Sequence, residues 1–345
     1  MRVLQTMAGA EFGGAEAFFT RLAVALQKTS VEQQVIIREN RMRARMLREG
    51  GVEPLQLSFG GALDFRTGMS IKREIKKFKP DVVLTWMNRA TKQTPAGKGK
   101  FVKVARLGGY YDLKYYQDCD HLVGNTQDIV DYLIKEGWPA ERAHYLPNFV
   151  NSERADPVSR MDLSTPEDAP LLLSMGRLHE NKAFDTLLRA LARVPGVYLW
   201  LAGEGPERRA LESLAEELGI RPRVRFLGWR EDTAALLAAC DVYICPSRHE
   251  PLGNVVLEGW AQGRPVIAAD SLGPGTLINH GDNGVLCPVD DDRAMGDAIK
   301  WVFSDQEFAH NLAKAGWETY QRDFTEAVVV QKYLDFFDKV TKDNK

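Results

Sequence analysis

Two carboxylates and two cations stand where they could act on a charged, hydroxyl-rich ligand. Glu250 and Glu258 flank Pro251-Leu252-Gly253-Asn254-Val255, directly after the apolar run Val242-Tyr243-Ile244-Cys245. The run reads as a buried strand, and Val255 to Gln262 reads as a helix. Gly253, Asn254 and Val255 therefore sit near a helix N-terminus, where backbone N–H groups and the positive dipole end favour a phosphate. Ionised carboxylates accept strong hydrogen bonds and suit hydroxyl-rich ligands. Arg177 and Lys182 follow another apolar strand that begins Leu171-Leu172-Leu173. One supplies a planar fork of donors and the other a mobile point charge, so together they suit a diphosphate. Either cation alone would read as a surface charge beside a helix start. The combination implies a site for a sugar joined to a diphosphate.

The elements that must hold these residues alternate strand and helix along the whole chain. Strands are expected at Arg2 to Met7, Gln34 to Ile37, Val82 to Leu84, Phe101 to Val104 and Leu122 to Gly124. Ala15 to Lys28 shows an amphipathic period, with Phe18, Phe19, Leu22 and Leu26 on one face. Thr126 reads as a cap for the helix after it. A second series runs through Leu171 to Leu173, Val197 to Ala202, Val224 to Leu227, Val242 to Cys245 and Val266 to Ala269. The polar, proline-containing stretch from Ser152 to Pro170 reads as an interdomain linker. These signals predict two doubly wound α/β lobes, over 1–155 and 156–325, with a last helix over 326–345. Ligands in such folds bind beyond the carboxyl ends of the strands, so a cleft faced by the two lobes is the expected site.

The segment Glu250 to Glu258 resembles the two-glutamate motif of retaining glycosyltransferases of family four, whose fold is GT-B. Ser174-Met175-Gly176-Arg177-Leu178 followed by Lys182 is similar to that family's phosphate clamp. Gly203-Glu204-Gly205-Pro206 and Phe226-Leu227-Gly228-Trp229 follow in the family's order, and Gly13-Gly14-Ala15-Glu16 and Pro147-Asn148 are its pieces in the first half. The resemblance implies a bacterial cell-envelope enzyme of the lipopolysaccharide-core type. It implies Arg177 and Lys182 on the diphosphate, Glu258 on the ribose hydroxyls and Glu250 on the donor sugar. Gly253, Asn254 and Val255 would complete the phosphate cradle, with Gly228, Trp229 and Arg230 bordering the base. Gly13 and Gly14, after the first strand, would admit a close backbone approach to the donor. Leu252 departs from the larger residue usual there. The last helix is expected to return to the first lobe, as it commonly does in the GT-B fold.

On the acceptor side the family's usual His is missing. Asn88, at the end of the Val82 strand, and the cluster of Arg106, Tyr110, Tyr111 and Lys114 offer cations and aromatic faces for an anionic glycan. The same cluster also reads as a loop packed on the lobe core. Asp118-Cys119-Asp120 matches a metal-binding Asp-x-Asp pattern but directly precedes a strand, in the wrong lobe. Asp290-Asp291-Asp292 reads as a helix cap. No metal and no other cofactor is expected, the nucleotide sugar being a substrate. The cysteines Cys119, Cys240, Cys245 and Cys287 lack Cys-x-x-Cys spacing and read as reduced thiols, three of them within apolar core stretches.

Charge is distributed unevenly. Residues 1–150 carry 23 Lys+Arg against 16 Asp+Glu, a balance of +7, whereas the remainder balances at -9. Arg38, Arg41, Arg43, Arg45 and Arg48 interleave with Met42, Met46 and Leu47, and Lys72, Arg73, Lys76, Lys77 and Lys79 surround Ile71, Ile75 and Phe78. Such segments suit an anionic inner-membrane surface, or are simply solvated helix faces. No nucleic-acid motif is present, no run approaches the length of a membrane span, and the first residues read as a strand, so a cytoplasmic, peripheral location is expected. The leading reading is transfer of a hexose from a UDP-sugar, with GDP-mannose the other donor considered, to a membrane-associated glycan such as a lipopolysaccharide core. A glycosyltransferase making a soluble glycoside and a catalytically silent sugar-nucleotide-binding scaffold are the alternatives.

Overall fold

The computed structural model describes residues 1–11, 13–61, 64–151 and 153–343. The chain forms two compact units, Met1–Asn148 with Glu326–Lys345, and Phe149–Thr325. The first holds the strands β1 (Arg2–Met7), β2 (Glu32–Arg38), β3 (Pro54–Leu57), β4 (Val82–Trp86), β5 (Val102–Leu107), β6 (His121–Gly124) and β7 (Ala143–Tyr145). The second holds β8 (Leu171–Met175), β9 (Tyr198–Ala202), β10 (Val224–Gly228), β11 (Val242–Cys245), β12 (Val266–Ala269) and β13 (Val285–Cys287). Their sheets run β3-β2-β1-β4-β5-β6-β7 and β10-β9-β8-β11-β12-β13, and every pairing is parallel. Each is a doubly wound sheet in which the order reverses once, at β1/β4 in the first unit and at β8/β11 in the second. A reversal parts the loops that leave two adjacent strands toward opposite faces and opens a crevice at their carboxyl ends.

Burial on both faces explains why these strands are continuous apolar runs. In the second unit Leu172, Leu199, Leu201, Val242, Ile244, Ile267 and Ala269 enter one core. Their neighbours Leu171, Leu173, Trp200, Ala202, Tyr243, Cys245, Val266 and Ala268 enter the opposite one. The two-residue period of a strand thus sorts one sequence into two cores. In the first unit β4 is buried at every position.

The stretch read as a linker is not one. Ser152 lies outside the described residues, but Val158 and Leu163 pack on the second unit's core. The Arg160 guanidinium donates to the carbonyls of Ala239, Glu167 and Ala169 and pairs with Asp241 at 2.7 Å. A fork of donors spent on buried carbonyls fixes a segment whose composition alone reads as flexible. The boundary between units accordingly falls after Asn148, ahead of the expected division at 155/156.

The helix Glu326–Asp343 belongs to the first unit and buries Tyr333, Phe336 and Phe337 there. Its anchor is Arg106 on β5, which is 4% exposed and donates from Nε to the Tyr333 hydroxyl at 2.9 Å. The guanidinium also donates to the Asn148 side chain and lies 4.6 Å from the ring centres of both Phe18 and Trp86. This overturns Arg106 as a glycan contact. A tertiary partner hundreds of residues away consumes its donors, and no local pattern reveals that. The same helix sets Phe336 against His121 and His144, whose ring nitrogens are 3.0 Å apart.

Candidate active site

The loops that leave β8 and β11 at their carboxyl ends bring Lys182 and Glu250 together. β8 ends at Met175, and the next turn carries Arg177 and then Lys182 in the short helix Glu180–Lys182. β11 ends at Cys245, and its loop carries Glu250 into the helix Asn254–Ala261. Lys182 Nζ and Glu250 Oε2 meet at 2.5 Å, with side chains 25% and 10% exposed. Arg177 is exposed and makes no side-chain hydrogen bond or ion pair among the described residues. The site therefore offers one cation already paired and one unspent. Beneath it lies Tyr243, whose phenol burial raises well above its usual value. The carboxylates of Glu258 and Glu250 add to the shift. Both glutamates thus lie near one buried ring.

Glycines explain how these loops come so close. A Cβ on Gly203 would stand 1.8 Å from the Gly176 carbonyl oxygen, and one on Gly205 would stand 2.3 Å from that of Leu178. Leu178 N donates to Glu204 O at 2.9 Å, and Gly203 N donates to Gly228 O at 2.7 Å. The sequence reads Gly203-Glu204-Gly205 as a tight turn. Its structural reason is close approach of this backbone to the loop that bears Arg177. Gly253 caps the helix Asn254–Ala261 in the left-handed region at φ 64, without a capping side chain. Trp229 is 76% exposed beyond β10, and Arg230 forks onto Asp232 at 2.6 Å.

Arg248 is a positioning residue the sequence reading passed over. It donates to Glu180 O at 2.5 Å, pairs with Asp185 at 2.9 Å and with Asp290 at 2.6 Å. It therefore ties the Lys182 loop to the Glu250 loop and takes Asp290 out of the acidic triplet. Asp291 is the cap, accepting from Ala294 N at 2.8 Å. Of the Asp-x-Asp pair in the first unit, Asp120 accepts from Lys103 N at 2.7 Å. No cluster of three metal-ligating side chains occurs among the described residues. All four cysteines are buried free thiols.

The first unit's expected residues divide into two groups. Gly13 precedes the helix Gly14–Gln27, but the room beside it is filled from within the chain. Its Cβ would meet Glu16 Oε2 at 2.3 Å, and Glu16 Oε1 accepts from Ala10 N at 2.7 Å. Arg43, 4% exposed, donates to Ala10 O at 2.7 Å. The Gly13-Gly14 turn is therefore shaped by a buried carboxylate and a buried guanidinium. Tyr110 is bonded to Asp128, and Lys114 is paired with Asp112 at 2.5 Å, so both are engaged locally. Asn88 and Tyr111 instead line a cavity of about 340 Å³ with Ala8, Gly9, Ala10, Arg38, Met87 and Arg89.

Two parallel doubly wound sheets, each with one strand-order reversal, make up the GT-B architecture. The chain belongs to the glycosyltransferases of that fold. Residues 156–319 match the family described as glycosyl transferases group 1, and residues 12–154 match glycosyltransferase family 4. Among its relatives is the lipopolysaccharide core biosynthesis glycosyltransferase LpsE of Rhizobium meliloti (strain 1021). It is 42% identical over 93% of this chain and 95% of its own length. LpsD of the same strain, which bears the same description, is 37% identical over 98% of each chain. Anabaena Alr3699/HepE, solved in complex with UDP, shares the fold with a TM-score of 0.85 at 20% identity, over 98% of this chain and 100% of that one.

Proposed function

We propose that this chain transfers a hexose from a UDP-sugar to a lipopolysaccharide core, with retention at the anomeric carbon and without a metal ion. The observation that carries the reading is the unspent Arg177 beside the Lys182–Glu250 pair at the β8/β11 crevice. Breaking the donor's glycosidic bond moves negative charge onto the departing diphosphate. Fixed cations at that point stabilise the transition state more than the ground state. Arg177 takes diphosphate oxygens through its planar fork, and Lys182 supplies the mobile charge. Glu250 holds Lys182 before the donor arrives and accepts from the donor sugar's hydroxyls. Glu258 accepts from the ribose, and the first-turn amides of Gly253, Asn254 and Val255 receive phosphate oxygens. The names of LpsE and LpsD support the acceptor, and the UDP complex of the HepE fold relative supports the donor base.

Two helices of the first unit support a peripheral membrane seat. Arg41–Glu49 leaves Met42 and Met46 56% and 48% exposed among arginines, and Phe65–Phe78 leaves Phe65 and Met69 69% and 59% exposed ahead of its lysines. Among the described residues no helix is long and apolar enough to cross a membrane.

The deciding experiment is a thermal-shift panel of UDP, ADP, GDP and CMP, each with magnesium and with excess chelator. UDP is expected to raise the melting temperature in both conditions. A shift that needs magnesium would remove the metal-free part of the reading. No shift with any nucleotide would favour the silent scaffold. UDP-hexose supplied with extracted core glycan then tests transfer itself.

A further inference from the structure

Three consecutive residues of one loop hold three consecutive residues of another. After β11, Arg248 Nη1 donates to Glu180 O at 2.5 Å. His249 N donates to Asn181 O at 3.2 Å. Glu250 Oε2 then accepts from Lys182 Nζ at 2.5 Å. The helix Glu180–Lys182 is thus clamped along its whole length by the segment that carries Glu250. A single turn has little stability of its own, because it fixes several dihedrals for one hydrogen bond. It also ends in a costly conformation, since the next residue, Ala183, is left-handed at φ 50. The position of Lys182 is therefore set from outside, by the loop after β11.

Arg248 is in turn held from a third loop. β13 ends at Cys287, and Asp290 follows ahead of the helix Asp292–Ser304. Asp290 Oδ1 lies 2.6 Å from Arg248 Nε and accepts from the Thr186 hydroxyl at 3.2 Å. Arg248 Nη2 completes the fork on Asp185 at 2.9 Å and on Thr186 Oγ1 at 3.3 Å. Asp290 is itself left-handed, at φ 62, where glycine is the default residue. Helix capping does not account for it, because Asp291 supplies the cap. A non-glycine residue persists in such a conformation where its surroundings over-determine it, and these positions gather at functional sites. What the side chain adds over a glycine is one carboxylate oxygen shared by Arg248 and Thr186.

We propose that Asp290 is a positioning residue for the transfer step. It fixes Arg248, which sets the Glu180–Lys182 turn in register against the Glu250 loop and so presets the Lys182 ammonium for the diphosphate. The proposal rests on the glycosyltransferase reading above and adds the residue that holds its cation in place. Asp290 acts through Arg248 rather than on the donor. A charge stabilises a transition state best when it is fixed before the reaction, and a shift of about 1 Å caused by a remote change can cost about a hundred-fold in rate. Asp290 therefore governs kcat more than donor affinity.

The test measures kcat, donor KM and melting temperature on the full chain. The donors are UDP-glucose and UDP-galactose, and the acceptor is extracted core glycan. Asp290→Gly keeps the backbone conformation and deletes the carboxylate. It is expected to lower kcat about ten-fold or more, with donor KM within about two-fold and the melting temperature within about 2 °C. Asp290→Asn suits the same backbone, keeps an oxygen acceptor and should recover most of kcat. In an Arg248→Met background, Asp290→Gly should add nothing, because the two act as one unit. A kcat equal to wild type in Asp290→Gly would overturn the proposal. So would losses that multiply in the double variant, or a kcat that falls only in step with melting temperature, which marks a structural role alone. Competitive acetylation with acetic anhydride, read by mass spectrometry, follows Lys182 without any turnover. Its rate should rise about three-fold or more in Asp290→Gly and stay near wild type in Asp290→Asn. An unchanged rate in Asp290→Gly would overturn the proposal, and this arm stands even if Arg248→Met folds poorly. Failure of wild type to respond to UDP would instead strike the enzyme reading, while the acetylation rates still decide whether Asp290 sets Lys182.

Discussion

The two crevices share a topology and differ in how their charges are held. At β8/β11 the lysine is paired with a buried glutamate, Arg248 stitches the two loops together, and glycine backbones press one loop on another. At β1/β4 Arg38 is unpaired among the described residues, Arg89 makes one bond, to the Phe59 carbonyl, and Met87 turns the backbone in the left-handed region. The contrast teaches what each site has to do. Charge that develops during bond breaking is stabilised best by dipoles and ions already fixed before the reaction. Rigidity therefore sits where the diphosphate is proposed to leave.

The sharpest break in that comparison separates Lys182 from Arg177. Lys182→Ala should lower turnover by about 2–4 kcal/mol in the barrier. It should also reduce folding stability by about 3 kcal/mol, because Glu250, 7% exposed, loses its partner. Arg177→Ala should show a comparable kinetic loss with unfolding unchanged within about 0.5 kcal/mol. Denaturant melts set beside initial rates check both. Equal stability losses in the two variants would mean that the pairing has no structural weight.

Arg106→Met comes next in size. It takes the donor away from the buried Tyr333 hydroxyl and should cost the first unit about 1–3 kcal/mol, while the acceptor KM of folded enzyme stays put. A raised KM at unchanged stability would return Arg106 to the acceptor role.

The smallest expected effect is a pH dependence. Burial, then His121, then Lys339 lower the His144 pKa from 6.5 to about 4, and burial lowers that of His121 as well. Both rings therefore take up protons less readily in the fold than when unfolded. The His144 contribution is fully present above about pH 6.5 and is lost as pH falls from there toward about 4. His144→Phe should flatten the melting temperature across that window. An unchanged slope would place the acid sensitivity elsewhere.

Much of this was legible in the chain because it is local. Apolar runs of four to six residues gave the strands of both series, and Val242–Cys245 and Val266–Ala269 begin and end where expected. The short edge strands Pro54–Leu57, Ala143–Tyr145 and Val285–Cys287 were not read, since three or four residues carry too little period to stand out. The spacing of Arg177, Lys182, Glu250 and Glu258 against strand ends was enough to nominate a donor site. By itself the sequence determined the alternating elements, the family motifs and the chemistry of those four side chains, because each is encoded by residue type and near neighbours. Only the tertiary structure decided which charges are spent. It turned Arg106 into a buried anchor, Arg160 into a clamp on a supposed linker, Arg248 into a stitch and Glu16 into a loop brace. Among the described residues it left Arg177 and Arg38 without a side-chain partner. Whether a guanidinium is consumed or available depends on carbonyls and rings tens to hundreds of residues away, brought close by the order in which strands join a sheet.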